Sequence, residues 1–488
     1  MQFDAEGPDG VLSLDLPGLI DVELSPMPLE RFAAVLSPEE TARLLDEARD
    51  AQEVFAGRTV WNVNSTATGG GVAEMLQSLV PYARSAGIDA RWTVIQGDSE
   101  FFRITKRIHN QLHGSPGDGG ALDEAARAHY EAVLAVNGAR LAGRVGARDV
   151  VILHDPQTAG LVPLMQAQGA VVVWRCHVGV DEPNDIVRGA WDFLRPYVSQ
   201  ADAYIFSCDG FVWDGLNRER LAIIAPSIDP FAVKNYPLSA ADEASILRAG
   251  GIEDNDTTGN AHFARQDGAA GVVTHRSNVT ESTRITPGTP LVVQVSRWDR
   301  LKDPMGVLRG FTEYIAEQST AHLVLAGPDV SRVSDDPEGL QVLEEMRAAW
   351  RALAPALADR VHLATLQMDD PEENAVMVNA LQRRAAVVVQ KSLAEGFGLT
   401  VAEAMWKDRP VVASALGGIC DQIEGGVSGI LIDPSDLRAF GGAVVRLLSD
   451  KTAATAMGQA AQERVRTHFL GSRHLRQYLD LLTHLLHE

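Results

Sequence analysis

The chain has 488 residues, more than one hydrophobic core usually organises, so at least two domains are expected. Its formal charge of −22, from 43 basic and 65 acidic residues, argues against nucleic acid and anionic membrane surfaces as main partners. Cys176, Cys208 and Cys420 are too widely spaced for a disulfide framework or a zinc pattern. The N-terminal MQFDAEGPDG has no signal-peptide character, and no apolar run approaches the roughly 20 residues of a membrane span, so a cytoplasmic protein is expected.

Residues 1–36 carry a mixed pattern that predicts no element. Ser37-Pro38-Glu39-Glu40 starts a helix: a capping serine, proline at the first helical position, and a glutamate three after the serine. That helix is expected to reach about residue 55 and to stop at Gly57. Strand-like runs follow at 58–64, 91–96, 149–154, 170–176, 203–207 and 221–225, separated by helical patterns such as 72–86, 119–144 and 186–198. Residues 250–285 are rich in Gly, Asp, Asn and Thr without a lasting period, which predicts a long loop insertion at a domain boundary. A second series of strands is expected at 290–296, 322–327, 361–366, 385–390, 410–414 and 429–432, before a helical tail that ends in an amphipathic helix over 473–487.

Strands alternating with helices mean parallel α/β sheets. The expected organisation is an N-terminal extension over 1–57, a Rossmann-like domain over 58–285, a second over 286–470, and a final helix over 471–488 that crosses back to the first domain. Two such domains would face a central cleft, with ligands beyond the carboxyl ends of the strands.

The stretch 387–414 concentrates the chemistry. A short strand leads to Glu395-Gly396-Phe397-Gly398, then to a helical pattern over 400–406 that contains Glu403. The glycines admit close backbone approach to a ligand, and the N–H groups of the helix start accept negative charge or hydroxyls. An ordinary strand-loop-helix unit with acids near a helix start is the bland alternative. Arg297 and Lys302, in the turn SRWDRLKDP, suit a diphosphate leaving group, whereas a solvated basic turn is the competing reading. Gly69-Gly70-Gly71 places a similar turn in the first half. It lacks the G-x-G-x-x-G spacing of a dinucleotide fold, since position 74 is Glu. His154-Asp155-Pro156-Gln157 and Trp174-Arg175-Cys176-His177 end two further strands. His177 and Asp155 are candidates for sugar contact, beside the ordinary roles of a loop histidine and a turn-forming aspartate.

Six blocks, among them WRCHVGVDEPN, LHDPQTAGLVP, QVSRWDRLKDP and QKSLAEGFGLTVAEAMWK, together resemble the trehalose synthases of glycosyltransferase family 4, which are similar to the retaining trehalose phosphorylases. The resemblance runs from about residue 59 to the end and implies the two-domain GT-B fold. It implies a donor site of Gly70, Gly71, Arg297, Lys302, Glu395, Gly396, Phe397, Gly398, Leu399, Thr400 and Glu403. Glu395 would contact the donor hexose, Glu403 the nucleotide ribose, Arg297 and Lys302 the diphosphate, and His177 the transferred sugar. Asp155, Gln157 and His177 would form the acceptor side, and Glu395, His177, Arg297 and Lys302 the catalytic set. After His177 the chain reads VGVD where the family pattern has an Ile-Asp-x-Ser-like continuation, which leaves the acceptor open.

The expected activity is retaining transfer of glucose from a nucleoside diphosphate sugar to a sugar acceptor, glucose giving trehalose. No cofactor or metal is expected: the one D-x-D, Asp254-Asn255-Asp256, falls in the insertion. Small-molecule sugars and nucleotide sugars are the expected partners, and a homodimer is left open. A phosphorylase, a glycosidase using Glu395 and Glu403 as its carboxylate pair, and a non-catalytic sugar-nucleotide sensor are the rivals.

Overall fold

The computed structural model describes residues 16–68, 70–254, 261–330 and 337–487. Chain packing divides it into two compact units, Met1–Pro226 with Gly471–Glu488, and Ser227–Leu470.

The first unit is built on a seven-stranded sheet. Its strands are β1 (Ile20–Asp21), β2 (Thr59–Asn64), β3 (Asp89–Val94), β4 (Val150–His154), β5 (Val171–Cys176), β6 (Ala203–Phe206) and β7 (Leu221–Ile223). The order is β1-β3-β2-β4-β5-β6-β7, with β1 antiparallel to β3 and the remaining pairs parallel. The inner strands β4, β5 and β6 are near-continuous apolar runs because helices cover both faces. Trp61, Val151, Val172 and Trp174 belong to one contiguous core. The expected N-terminal helix is Pro38–Val54, and the predicted capping box is present: Glu40 N–H donates to Ser37 Oγ at 3.2 Å, and Ser37 N–H to Glu40 Oε2 at 3.0 Å. The last helix, Gly471–His487, packs on this same unit, where Arg476 donates to Glu47 Oε1 at 2.7 Å.

The second unit carries another seven-stranded sheet and a small hairpin. Its strands are β8 (Ala261–Ala264), β9 (Ala270–Val273), β10 (Asn278–Thr280), β11 (Leu291–Val295), β12 (His322–Pro328), β13 (Val361–Leu366), β14 (Val387–Gln390), β15 (Val411–Ser414) and β16 (Ile430–Ile432). The large sheet runs β10-β13-β12-β11-β14-β15-β16, parallel except for β10 at its edge. All twelve strands expected from the two alternating series are present.

The insertion differs from expectation. Residues 261–285 are not a long loop: β8 and β9 form an antiparallel hairpin around Gly268, whose φ of +85° suits a residue without a Cβ, and β10 adds to the sheet edge. Asn255 and Asp256 of the D-x-D lie outside the described residues. The whole stretch from Ser227 packs with the second unit, whereas a boundary at 285/286 was expected. The reason is tertiary. Arg265 forms ion pairs with Asp370 and with Glu372, the latter at 2.9 Å, while Glu373 accepts from the backbone N–H of Thr274 and His275 at 2.7 and 2.6 Å. The polar composition that reads as a loop is thus the hairpin's means of attachment to the Pro371–Arg384 helix. Among the described residues, no helix is long and apolar enough to cross a membrane.

Candidate active site

In an open parallel sheet, ligands settle where strand order reverses, outside the carboxyl ends of the two strands at that point. In the second unit β11 connects first to β12 on one side, and β14 later fills the other. The turns leaving β11 and β14 are the two stretches the sequence singles out. The backbone joins them directly, since Leu393 N–H donates to Leu301 O at 2.7 Å. Gln294 Nε2 also donates to Lys302 O at 2.9 Å, fixing the basic turn against its own strand.

Lys302 Nζ lies 2.7 Å from both carboxylate oxygens of Glu395, and Ser392 Oγ donates to Oε2 at 3.1 Å. The two residues expected to meet diphosphate and hexose separately are therefore paired with each other. A second pair joins the same two turns: Lys391, almost fully buried, forms an ion pair with Asp303, whose backbone is left-handed at φ 48°. Asp303 Oδ1 also accepts from Gly306 N–H at 2.9 Å, capping the helix that Pro304 opens. Arg297 is 58% exposed and pairs with Asp299 at 3.0 Å, leaving much of its guanidinium at the surface.

Gly398 caps the Leu399–Trp406 helix at φ 82°. Gly396 O accepts from Gly418 N–H at 2.8 Å, and a Cβ at Gly418 would stand 2.9 Å from that oxygen, so the two loops touch backbone to backbone. Phe397 is buried with its ring 5.7 Å from that of Phe469, and Thr400 Oγ1 donates to Gln390 Oε1 at 3.2 Å. Phe397 and Thr400 therefore brace the loop through their side chains.

Glu403 is fully buried and faces Lys234 Nζ at 3.2 Å. Beside it Lys407 Nζ donates to Gln382 Oε1 at 2.7 Å and Asn235 Oδ1 at 3.0 Å. Lys234, Lys391 and Asp303 were missed by sequence reasoning. Asp303 and Lys391 lie inside the quoted blocks but were given no role there, Lys234 lies outside them, and only the fold brings each to its partner.

In the first unit the strand order reverses between β2 and β4. Gly70, at φ 81°, caps the Gly71–Ser85 helix beyond β2, while Gly69 lies outside the described residues. Beyond β4, Asp155 adopts a left-handed φ of 63° that aspartate tolerates better than most residues. Its Oδ1 accepts from His177 N–H at 2.8 Å, and its N–H donates to Arg175 O at 2.7 Å. Asp155 thus ties the turn after β4 to the end of β5, and Gln157 lies half-buried in the same turn. The His177 ring stacks on that of His154 with centroids 5.5 Å apart.

Burial above all pushes the Asp155 carboxyl up to about 7 from its ordinary 3.8. An acid whose folded pKa is raised makes the folded state bind its proton more tightly than the unfolded chain does. Its contribution to stability is therefore fully present below about pH 4 and is lost as pH rises through 7. Asp155→Asn keeps the acceptor oxygen and the backbone tolerance but cannot ionise. Thermal melts of the variant between these pH values should fall less steeply than those of the wild type, and parallel curves would refute the shift.

Residues 62–213 match the family model described as trehalose synthase, N-terminal domain, and residues 276–464 match that of glycosyl transferases group 1. The trehalose synthase of Pyrococcus horikoshii is 34% identical over 457 residues, covering 94% of this chain and 96% of that one. The trehalose phosphorylase of Grifola frondosa is 25% identical over 82% of this chain but only 54% of its own length. A solved alpha,alpha-trehalose-phosphate synthase (UDP-forming) from Burkholderia vietnamiensis shares the fold at TM-score 0.63, 16% identity and 87% coverage of this chain, 98% of that chain. Two Rossmann-like units with these neighbours define a GT-B glycosyltransferase. Within that class, the chain belongs to the trehalose synthase family.

Proposed function

We propose that the protein is a retaining hexosyltransferase that moves glucose from a nucleoside diphosphate glucose to a sugar acceptor, with glucose as acceptor and trehalose as product. The observation that carries this reading is the Lys302–Glu395 pair, 2.7 Å apart at the reversal point of the second sheet, with Arg297 in the same turn. A cation and a hydrogen-bond-accepting carboxylate side by side suit a donor whose diphosphate and hexose are adjacent. The name of the Burkholderia protein, which releases UDP, supports a nucleoside diphosphate as leaving group.

In this mechanism the bond from C1 of the hexose to the phosphate oxygen breaks while the acceptor oxygen bonds to C1 from the same face. The acceptor proton passes to a phosphate oxygen. Lys302 and Arg297 stabilise the charge that grows on the diphosphate, and Glu395 holds hexose hydroxyls. No metal is required in this scheme. The phosphorylase is the second reading, favoured by the Grifola relative; there inorganic phosphate replaces the nucleotide.

A screen of ADP-, UDP- and GDP-glucose and glucose 1-phosphate against free sugars, with products identified by mass and proton NMR, tests both. Transfer from a nucleotide sugar with the α configuration kept is expected. Turnover confined to glucose 1-phosphate would establish the phosphorylase instead, and a β-linked product would refute retention.

A further inference from the structure

His177 directly follows β5, and both of its ring nitrogens are engaged within the first unit. Arg175 Nε lies 3.4 Å from Nδ1, and His154 Nδ1 lies 3.2 Å from Nε2. A guanidinium has only N–H donors, so His177 Nδ1 must accept and the ring proton must sit on Nε2. That proton points to His154 Nδ1, which accepts in turn. His154 then carries its own proton on Nε2, facing Asn62 Oδ1 at 3.2 Å. Donation runs one way, from Arg175 through His177 and His154 to Asn62, because the reverse direction would require the guanidinium to accept.

Arg175 is itself locked. It is fully buried, donates to His474 Nε2 at 3.1 Å and Ile224 O at 3.1 Å, and also donates to Tyr478 OH. Among the described residues it has no ion pair with a carboxylate. The other ionisable groups about the imidazoles are Asp155, which takes the His177 backbone N–H, and His474, with Arg473 beyond it. Burial, and then the Arg175 guanidinium, push His177 well below the ordinary range and His154 to about 3.

We propose that Arg175 is a positioning residue for glycosyl transfer, holding His177 as the Nε2–H tautomer in one ring orientation beside the turn after β4. The inference rests on His177 being a sugar-contacting residue, as in the function proposed above. A hydroxyl reaching this histidine would meet a neutral ring, fixed in orientation, whose Nε2–H is shared with His154 Nδ1.

The first test needs no substrate. Long-range proton–nitrogen spectra of the full chain labelled at histidine, with His177 assigned through His177→Gln, should show Nδ1 bare and Nε2 protonated at about pH 5.5 and about pH 7.5. A protonated Nδ1, or an imidazolium at the lower pH, overturns the proposal.

The second test is Arg175→Met, which keeps the aliphatic stem but removes the donors and the charge. Its turnover should fall roughly tenfold or more through misplacement, with donor KM little changed. Any acid limb of its pH–rate profile should lie at higher pH than in the wild type, because burial still disfavours the imidazolium but the repelling cation is gone. A folded Arg175→Met with the wild-type profile and turnover overturns the proposal.

Should that variant fail to fold, Tyr478→Phe loosens the guanidinium without removing it and should lower turnover by a smaller factor with no new acid limb; unchanged turnover overturns the inference. A failed donor screen with the expected tautomer would refute the transfer reading. The wrong tautomer in an active transferase would refute this inference alone.

Discussion

Lys302→Ala should lower turnover by roughly 10²–10³, the loss that follows removal of one preorganised group facing developing charge. The ammonium is held before any ligand arrives: its backbone carbonyl is fixed by Gln294, and its Nζ by two 2.7 Å contacts to Glu395. Reorganisation during the reaction is correspondingly small. Because the pair is shared, the two charges should not act independently. Glu395→Gln should also be severely impaired, and the double variant should lose much less than the sum of the two single losses. Arg297→Ala should slow transfer too, but with little coupling to Glu395, since its partner is Asp299. At 58% exposure its removal should hardly move the melting temperature. Steady-state kinetics on these four variants and on the Arg297→Ala/Glu395→Gln double decides the matter. Near-normal turnover in Lys302→Ala would remove the lysine from the diphosphate site, and strict additivity would show that the ion pair has no part in catalysis.

How much of this was legible in the sequence depends on the range of the interaction that decides it. The parallel strands were readable because each is a short β-branched apolar run, buried on both sides and bounded by turn residues. The Pro38–Val54 helix announced itself through a capping box that acts within a few residues. The GT-B class was implied by the family resemblance that the strand-end motifs carry. Assignment of 227–285 to the second unit was not readable, because it turns on pairing of β10 with β13 and on Arg265 meeting Asp370 about a hundred positions later. The same holds for Lys391 with Asp303, and for Arg175 with the helix that begins at Gly471. Local pattern cannot rank one distant partner above another. Arg175 looked like part of a strand-end motif, and only the buried contacts to His474 and Tyr478 set it apart from its neighbours.

Glu403 and Lys234 should respond very differently to removal, although they form one pair. The glutamate side chain has no solvent exposure, whereas the lysine is 23% exposed. Glu403→Gln leaves an ammonium that can still turn to water, and the amide oxygen can still face it, so the melting temperature should change little. Lys234→Met takes the facing cation away from a carboxylate that cannot reach solvent, and a buried charge without its counter-ion is costly, here as much as about 3 kcal/mol. That should lower the melting temperature by several degrees. Function should divide the other way. If Glu403 accepts the ribose hydroxyls of the donor, Glu403→Gln should weaken nucleoside diphosphate binding about tenfold or more, the worth of a hydrogen bond to a charged acceptor. Lys234→Met, once folded, should keep most of its affinity, because the carboxylate remains. Differential scanning calorimetry and isothermal titration with the free nucleoside diphosphate read the two effects separately. Equal loss of stability in both variants would mean that water reaches Glu403 in solution, and full nucleotide affinity in Glu403→Gln would exclude it as the ribose ligand.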